Sequence, residues 1–466
     1  MKALFSVSSS ESAVRDAGHF LTEVFRCPEG AAAFVPSGKL SDRSGYFRLG
    51  PDVTCYGQCS SGDPARSVTD PLHDALGDVT IENSAVQLPF DPVQVVDNLR
   101  SERYLAHGPQ GAPALPANAA IRALYYALRP AMSVPVRKHF QKLYLRGREK
   151  TPFPKWPVDV TVEKLLERLL VFAMKSQKME SLPFIWFWPD GAPTCTTISH
   201  DVETEAGRDF CPQLMDLDDS FGVKTSFQII PEGRYSVPKS LVRGILDRGF
   251  EVNVHDLNHD GHLFRSREQF LLRAERINEY GRQYGSQGFR SAVMYRNVDW
   301  LDALEFSYDM SVPNVAHLDP QRGGCCTVLP FFAGRILELP LTTTQDYSLL
   351  NILKDYSIRL WKEQIAVIRE RHGLISFIVH PDYTIDPAAR RVYCELLRYL
   401  TEMRSRGETW IASPGEVAAW WRLRSGLNLV KAMGSWRIEG KGKERAVVAH
   451  AVIAGDGLRF ETATRC

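Results

Sequence analysis

The chain has 466 residues, of which 44% are hydrophobic and 24% charged, and its formal net charge is +1. This near-neutral, ordinary globular composition gives no sign of a polyanion-binding surface, so nucleic acid is not an expected partner. The length exceeds one ordinary domain, which predicts one large catalytic unit with smaller flanking regions.

The cysteines and the hydropathy pattern bear on location. There are nine cysteines, an odd number that includes the neighbours Cys325 and Cys326, which suits reduced thiols better than a disulfide framework. Cys55 and Cys59 lack a second ligand pair, so ordinary thiols are favoured over a structural zinc. No apolar stretch has signal-peptide or membrane-spanning length. We therefore expect a cytoplasmic protein without a transmembrane segment.

The N-terminal part is predicted as two segments. Residues 1–115 are rich in Gly, Ser, Pro and Asp, with short strand-like pieces such as 78–82, and predict an α+β accessory region. Residues 116–190 predict a helical linker or lid, with helical patterns over 119–145 and 160–174. The first of these patterns and the residues just after it carry the basic side chains of Arg129, Arg137, Lys138, Lys142, Arg146 and Arg148. They predict a solvated positive face, with peripheral contact to an anionic membrane surface as the alternative.

Residues 191–425 alternate between strand and helix patterns. The predicted strands are 195–199, 225–230, 250–254, 288–293, 308–312, 336–341, 374–379 and 409–412. The predicted helices between them are 238–248, 266–284, 300–306, 347–371 and 387–406. This alternation predicts an α/β fold with a parallel sheet, closed or nearly closed into a distorted (β/α) barrel of about seven or eight units. Residues 426–466 predict a C-terminal extension in which 435–453 forms a β-hairpin.

The residues with the sharpest chemistry follow or end the predicted strands. They are Asp201, Glu203, His255, His259, Arg290 and His380. Strand ends of a parallel barrel converge on one mouth, so these side chains are expected to meet. Two imidazoles and a carboxylate suit zinc or a similar divalent ion, and an open coordination position would favour hydrolysis.

The order of these residues resembles the polysaccharide deacetylase family, the NodB homology domain of carbohydrate esterase family 4. Ser199-His-Asp-Val-Glu203 resembles the first motif of the family and His255-Asp-Leu-Asn-His259 the second. Phe289-Arg290 with the segment 306–312 resembles the third, and Ile378-Val-His380 the fifth. The resemblance covers about 193–421, roughly half of the chain, and depends on motif order and spacing.

The resemblance implies a metal-dependent deacetylase, a hydrolase of non-peptide amide bonds. Glu203, His255 and His259 would hold the divalent ion, with zinc (Zn) expected, and the substrate would be an N-acetylated carbohydrate or glycan precursor. Asp201 would act as the base, with Arg290 pairing with it and keeping it ionised. The same resemblance implies that His380 is the general acid. A weak candidate for orienting it is Asp346.

The chain also departs from the family pattern. Val202 separates the two acidic residues, so the metal-bound carboxylate is the least secure ligand, and Ser291 stands where a proline usually follows the arginine. Asp299-Trp300 comes too soon after the third motif to be the fourth. These departures support one alternative, a catalytically inactive glycan-binding or interaction protein. Two others also stay open, a hydrolase of a non-sugar amide and a metal-independent amide hydrolase.

Structural interpretations of single residues also remain open. Taken alone, a His-x-x-x-His spacing such as that of His255 and His259 is a coincidence more often than a metal site. For Asp201 and Glu203, the alternative is a role as loop or capping carboxylates. We expect His200 to pack away from the site, and His262 is an alternative ligand. The aromatic run 184–188 predicts a buried strand or lid rather than a sugar platform. The oligomeric state is left open.

Overall fold

The structure is a computed structural model that describes residues 17–30, 33–105, 147 and 150–462. The helix predicted over 119–145 and the basic residues Arg129, Arg137, Lys138, Lys142, Arg146 and Arg148 lie outside the described residues.

The N-terminal part combines helices with small sheets. Its elements are α1 (Ala17–Phe25), β1 (Phe34–Pro36), β2 (Gly45–Arg48), β3 (Thr54–Gly57), β4 (Thr80–Glu82), β5 (Ala85–Leu88), α2 (Pro92–Arg100), α3 (Thr161–Ser176) and β6 (Ser181–Ile185). β5 lies between β1 and β4, and β2 pairs with β3. α3 is the amphipathic helix predicted from residues 160–174, and it buries Leu165, Leu166, Leu169 and Leu170 in the core shared with β5 and β6.

A nine-stranded sheet forms the centre of the molecule. Its strands are β7 (Cys195–Val202), β8 (Ser226–Ile229), β9 (Glu251–His255), β10 (Gly288–Arg290), β11 (Tyr308–Asp309), β12 (Phe331–Ala333), β13 (Ile336–Glu338), β14 (Leu374–Ile378) and β15 (Trp410–Ile411). The order is β12-β13-β11-β10-β9-β8-β7-β14, and β15 also pairs with β7. All pairs are parallel except β12 with β13. The predicted α/β class and parallel sheet are confirmed.

Helices connect the strands of this sheet. They are α4 (Glu205–Ser220), α5 (Lys239–Asp247), α6 (Arg267–Tyr284), α7 (Arg359–Arg369), α8 (Pro381–Thr384), α9 (Pro387–Ser405) and α10 (Pro414–Ser425). Side chains of Thr204, Ser266, Asp386 and Ser413 accept hydrogen bonds from the free N–H groups at four of the helix starts. Because parallel strands point the same way, these connections leave the carboxyl ends of the parallel strands at one edge.

Side chains join the segment that follows β13 to β14, across the gap in the curled sheet. Thr342 Oγ1 donates to the Leu374 carbonyl (2.7 Å) and accepts from the Ser376 N–H (3.0 Å). In return, Ser376 Oγ accepts from the Thr342 N–H (3.0 Å) and donates to the Pro340 carbonyl (2.6 Å). No backbone ladder joins the segment 339–343 to β14 within the described residues. The sheet is therefore curled, but its backbone pairing does not close it into the predicted barrel.

The C-terminal part differs from the single hairpin predicted over 435–453. β16 (Asn428–Ala432) pairs with β17 (Ser435–Glu439), and β18 (Val448–Ala454) pairs with β19 (Gly457–Thr462). Each hairpin turns through two residues, one of which is a glycine with positive φ, Gly434 at 82° or Gly455 at 62°. β18 also pairs with β6. In the part of the chain that the structure describes, no helix has both the length and the apolarity to span a bilayer.

Candidate metal and catalytic site

The six predicted site residues converge at the carboxyl edge of the sheet. Asp201 lies at the end of β7, and Glu203 follows that strand directly. His255 ends β9, and His259 lies in the loop after it. Arg290 ends β10, and His380 comes two residues after β14. They meet because neighbouring parallel strands end at the same edge.

Three of these residues form a cluster of potential metal ligands. One ligand atom each of Glu203, His255 and His259 lies within 4.8 Å of the others. Glu203 Oε1 is 2.9 Å from His259 Nε2 and 3.9 Å from His255 Nε2. Both imidazoles are buried, whereas the carboxylate side chain is 25% exposed. The cluster therefore has one side that solvent and substrate can reach.

The hydrogen bonds of His255 prepare it to bind a metal ion. His255 Nδ1 lies 3.1 Å from the carbonyl of Arg290, which can only accept, so Nδ1 carries the proton and Nε2 keeps its lone pair. The Nε2 atoms of His255 and His259 are buried and, within the part of the chain that the structure describes, have no hydrogen bond of normal geometry. Buried nitrogens aimed at one carboxylate fit a divalent ion such as zinc.

The outer nitrogen of His259 has an unusual neighbour. Arg234 Nη2 lies 3.1 Å from His259 Nδ1 and donates to the carbonyl of the same residue at 2.9 Å. A guanidinium can only donate, whereas a metal-bound histidine normally donates from its outer nitrogen to an acceptor. Arg234 lies in the loop after β8, and nothing in the sequence pattern marked it.

The loop between the two histidines uses left-handed backbone twice. Asp256 has a φ of 55° and His259 a φ of 56°. Asp and His are among the residues that accept this conformation most readily, and such positions concentrate at functional sites. The Asp256 N–H also donates to the Arg290 carbonyl (2.8 Å), so the loop is tied to β10. These turns help to place both imidazoles on the same side.

Asp201 is held by Arg290. The guanidinium Nη1 donates to Asp201 Oδ1 at 2.6 Å and to Ser199 Oγ at 2.7 Å, and Nε donates to the Met310 carbonyl at 3.1 Å. Burial opposes ionisation of Asp201, but Arg290, His255 and His380 together outweigh it and lower the pKa of Asp201 below its ordinary value. The carboxylate is therefore an oriented anion.

His380 is held by Asp346, the candidate that the sequence marked. His380 Nδ1 lies 2.6 Å from Asp346 Oδ1, and the His380 N–H donates to Oδ2 at 2.7 Å. Burial disfavours the imidazolium, but Asp346 and Glu203 overcome this and hold the pKa of His380 well above its ordinary value. The Tyr383 ring packs against the imidazole with centroids 4.8 Å apart. Nε2 faces the cluster, 3.6 Å from Glu203 Oε1.

Other residues considered from the sequence lie elsewhere. His200 bonds to Asp218 and to the Val379 carbonyl, both at 2.9 Å, and so packs away from the cluster as expected. His262 has a side chain that is 55% exposed and does not belong to the cluster. Asp299 forms a surface pair with Arg103. Cys55 and Cys59 are buried free thiols.

No protein-family model matches this sequence, and no curated protein matches it. Solved structures similar to this chain include deacetylases. A structure from Mycobacterium smegmatis assigned to that class has 18% identity and a TM-score of 0.42, covering 51% of this chain and 93% of its own. The peptidoglycan deacetylase PdaC from Bacillus subtilis has 11% identity and a TM-score of 0.32, covering 49% and 93%.

A further similar structure is that of a carbohydrate esterase family 4 pseudoenzyme from Bacillus anthracis. It has 13% identity and a TM-score of 0.29, and the match covers 48% of this chain and 65% of the other. These structures come from the family whose motifs the sequence resembles, and the similarity reaches about half of this chain.

Proposed function

We propose that this protein is a metal-dependent hydrolase that removes N-acetyl groups from a carbohydrate or glycan precursor in the cytoplasm. The observation that supports this most directly is the buried cluster of Glu203, His255 and His259, whose ligand atoms lie within 4.8 Å of one another. An oriented anion, Asp201, and an oriented imidazole, His380, lie next to this cluster. Such a set is suited to hydrolysis of an amide.

The chain's own groups divide the proton transfers between them. A divalent ion held by Glu203, His255 and His259 would polarise the amide carbonyl and make water more acidic. Asp201, kept ionised by Arg290, accepts the proton of the attacking water. His380 then donates a proton from Nε2 to the departing nitrogen, because an amine is a poor leaving group until it is protonated. The products are acetate and a free amino group.

The opposite pKa shifts of the two groups match these opposite roles. Asp201 has a lowered pKa because Arg290, with His255 and His380, stabilises its anion against burial, so it is ready to act as a base. His380 has a raised pKa because Asp346 and Glu203 stabilise its cation, so it is ready to act as an acid. Two neighbouring groups whose environments separate their pKa values in this way are typical of general acid–base catalysis.

One observation favours a second candidate, a non-catalytic binding protein. The contact of Arg234 with His259 Nδ1 favours the tautomer with its proton on Nε2. In that tautomer Nε2 would face Glu203 as a donor, and it would not be free to bind a metal ion. A protein that kept this arrangement would hold a glycan without hydrolysing it.

The test combines metal analysis with acetate release. We expect the purified full chain to contain about one divalent ion per molecule and to release acetate from N-acetylated sugars, with activity lost in chelator and restored by zinc. His255→Ala should lower both metal content and activity by at least about 100-fold. The matched control is His262→Ala, which changes an exposed histidine outside the cluster.

Three outcomes contradict the proposal in different ways. A folded, metal-free protein without chelator-sensitive release supports the binding protein. Activity that survives His255→Ala indicates a metal-independent hydrolase. Release from non-sugar acetamides alone keeps the chemistry and changes the substrate class.

A further inference from the structure

Two carboxyl side chains lie side by side on the neighbouring strands β11 and β13. Asp309 of β11 and Glu338 of β13 are directly paired across parallel strands, so their side chains leave the sheet on the same face. Both residues are 0% exposed. Two ionised carboxylates so close together in a buried site would repel each other strongly. The pair is therefore expected to hold one proton.

The hydrogen bonds indicate which of the two carries it. Asp309 Oδ1 accepts from Ser311 Oγ at 2.7 Å, and Oδ2 accepts from the Ser311 N–H at 3.0 Å. Glu338 Oε1 accepts from the Val312 N–H at 3.0 Å, whereas Oε2 is buried and has no hydrogen-bond partner among the described residues. Asp309 thus uses both oxygens as an anion does, and Glu338 has one oxygen left to carry a proton.

We propose that Glu338 is a neutral carboxylic acid at neutral pH, donates its proton to Asp309, and so acts as a positioning residue for Arg290. Burial supports this assignment, because it raises the pKa of Glu338 well above its ordinary value and the negative charge of Asp309 raises it further. A buried acid of this kind serves as a hydrogen-bond donor.

Residues 309–311 connect the Asp309–Glu338 pair to Arg290 and to the residue after it. Ser311 Oγ donates to Asp309 and accepts from the N–H of Ser291, the residue after Arg290, at 2.8 Å. Between Asp309 and Ser311, the Met310 carbonyl accepts from Arg290 Nε at 3.1 Å. The Asp309 carboxylate therefore shapes the turn that fixes both the backbone and the guanidinium of Arg290. The consequence for the base, Asp201, rests on the proposed function.

Charged and titratable groups near Glu338 include Asp309 on β11, Arg290 on β10 and the thiol of Cys325. Burial raises the pKa of Cys325 well above its ordinary value, so that thiol stays neutral and does not compete for the proton. Arg290 favours ionisation of Glu338, but burial and Asp309 outweigh it.

The first test is the pH dependence of stability. In the unfolded chain Glu338 ionises at its ordinary pKa, whereas the native state keeps the proton, so the native state binds more protons and loses stability as pH rises. Glu338→Gln copies the neutral acid without a titratable proton. Its Tm should therefore rise relative to wild type by about 2 °C or more between ~pH 5 and ~pH 8.

A matched control tests whether any glutamate of the interior can be replaced by glutamine without loss of stability. Glu251 is partly buried, and its oxygens accept from Ser413, Tyr308 and the N–H of Gly415, so no oxygen is free to donate. We expect Glu251→Gln to lower Tm at every pH. Asp309→Asn should lower it likewise, because the amide would place a donor against Ser311.

Further readouts separate this proposal from the proposed function. The difference between the infrared spectra of the wild type and Glu338→Gln should show the loss of one protonated-carboxyl band, whether or not the protein is active; a difference is needed because burial raises the pKa of Glu163 to about 7, so that group also contributes. Given activity, Glu338→Gln should keep kcat, and Glu338→Ala should lower it by about 10- to 100-fold with KM and metal content unchanged. A benign Asp309→Asn together with a damaging Glu338→Gln would move the proton to Asp309 and overturn the assignment.

Discussion

Burial opposes the charged form of both Asp201 and His380, yet the pKa of each is shifted towards that form by several charged neighbours together. Each residue has one principal partner among them, Arg290 at 2.6 Å from the carboxylate and Asp346 at 2.6 Å from the imidazole. Each partner also makes a second contact that fixes direction, to Ser199 or to the His380 N–H. Charge and orientation are therefore set by the same residues.

The role of Asp346 can be tested by Asp346→Asn. The amide still accepts from the His380 N–H, but its NH₂ group would face Nδ1, so the imidazolium loses its counter-charge. We expect kcat to fall by about 10²- to 10⁴-fold with metal content unchanged, measured by acetate release and metal analysis.

The matched control is Asp209→Asn, which changes a carboxylate that is 64% exposed. Its kcat should stay at the wild-type value. If Asp346→Asn is as active as this control, His380 does not depend on Asp346.

At the residue scale, the sequence was informative where a titratable or metal-binding side chain lies at the end of a predicted strand. Motif order predicted which six side chains would meet, and Asp346 was marked as well. Arg234 could not be predicted, because its contact with His259 depends on how two loops pack and no periodic pattern records that. The proton shared by Asp309 and Glu338 was missed for a similar reason, since the register of β11 against β13 brings them together.

At the scale of elements, the presence of a strand was predicted more reliably than its exact ends or the helices next to it. The run 288–293 became β10 (Gly288–Arg290) followed by a tight turn at Ala292–Met294. The helix predicted over 347–371 is interrupted after Ser348–Leu353, where Lys354 has a φ of 60°. α4 was missed because its polar sequence contains Pro212, which usually breaks a helix.

The side-chain closure of the sheet was also beyond prediction. The sequence shows that a strand-like run contains a threonine hydroxyl, but it does not show which backbone group that hydroxyl will bond. Thr342 and Ser376 replace ladder bonds between the segment 339–343 and β14. Their hydroxyls satisfy backbone groups that would otherwise be buried without partners.

Thr342→Val tests this closure with little change of shape. It removes the donor to the Leu374 carbonyl and the acceptor for the Ser376 N–H, leaving two buried backbone groups unpaired. We expect the free energy of unfolding to fall by roughly 2–4 kcal/mol, measured by denaturant titration. Thr80→Val, on an exposed strand, should change it by less than about 0.5 kcal/mol. Equal effects of the two changes would show that the closure contributes nothing.

Across the whole molecule, the N-terminal part and the sheet share buried residues. The core that contains Phe47 and Leu99 also contains Leu165, Tyr308 and Leu337. The C-terminal strand β18 pairs with β6 in the same region. The predicted accessory region is thus packed more closely than its Gly- and Pro-rich composition indicated, because composition does not record long-range contacts. The domain boundaries stay a prediction.

A buried ion pair connects the N-terminal part to the segment that follows Arg290. Arg296 Nε donates to Glu102 Oε2 at 2.7 Å, and Arg296 Nη2 donates to Oε1. Glu102 also accepts from the Gly324 N–H at 2.5 Å and has a φ of 57°. Both side chains are nearly inaccessible, at 0% and 5% exposure. Breaking such a pair leaves a buried charge without its partner.

Glu102→Gln is expected to lower the free energy of unfolding by about 3–5 kcal/mol, because Arg296 keeps its charge in a site that no longer compensates it. Denaturant or thermal unfolding of the full chain measures this. The double variant Glu102→Gln/Arg296→Met removes the stranded charge, so it should recover part of the loss. Arg103→Gln, which breaks the exposed pair with Asp299, should change stability by less than about 0.5 kcal/mol. A Glu102→Gln protein as stable as the Arg103→Gln control would mean that Arg296 finds other partners, and the two parts would then be joined by apolar packing alone.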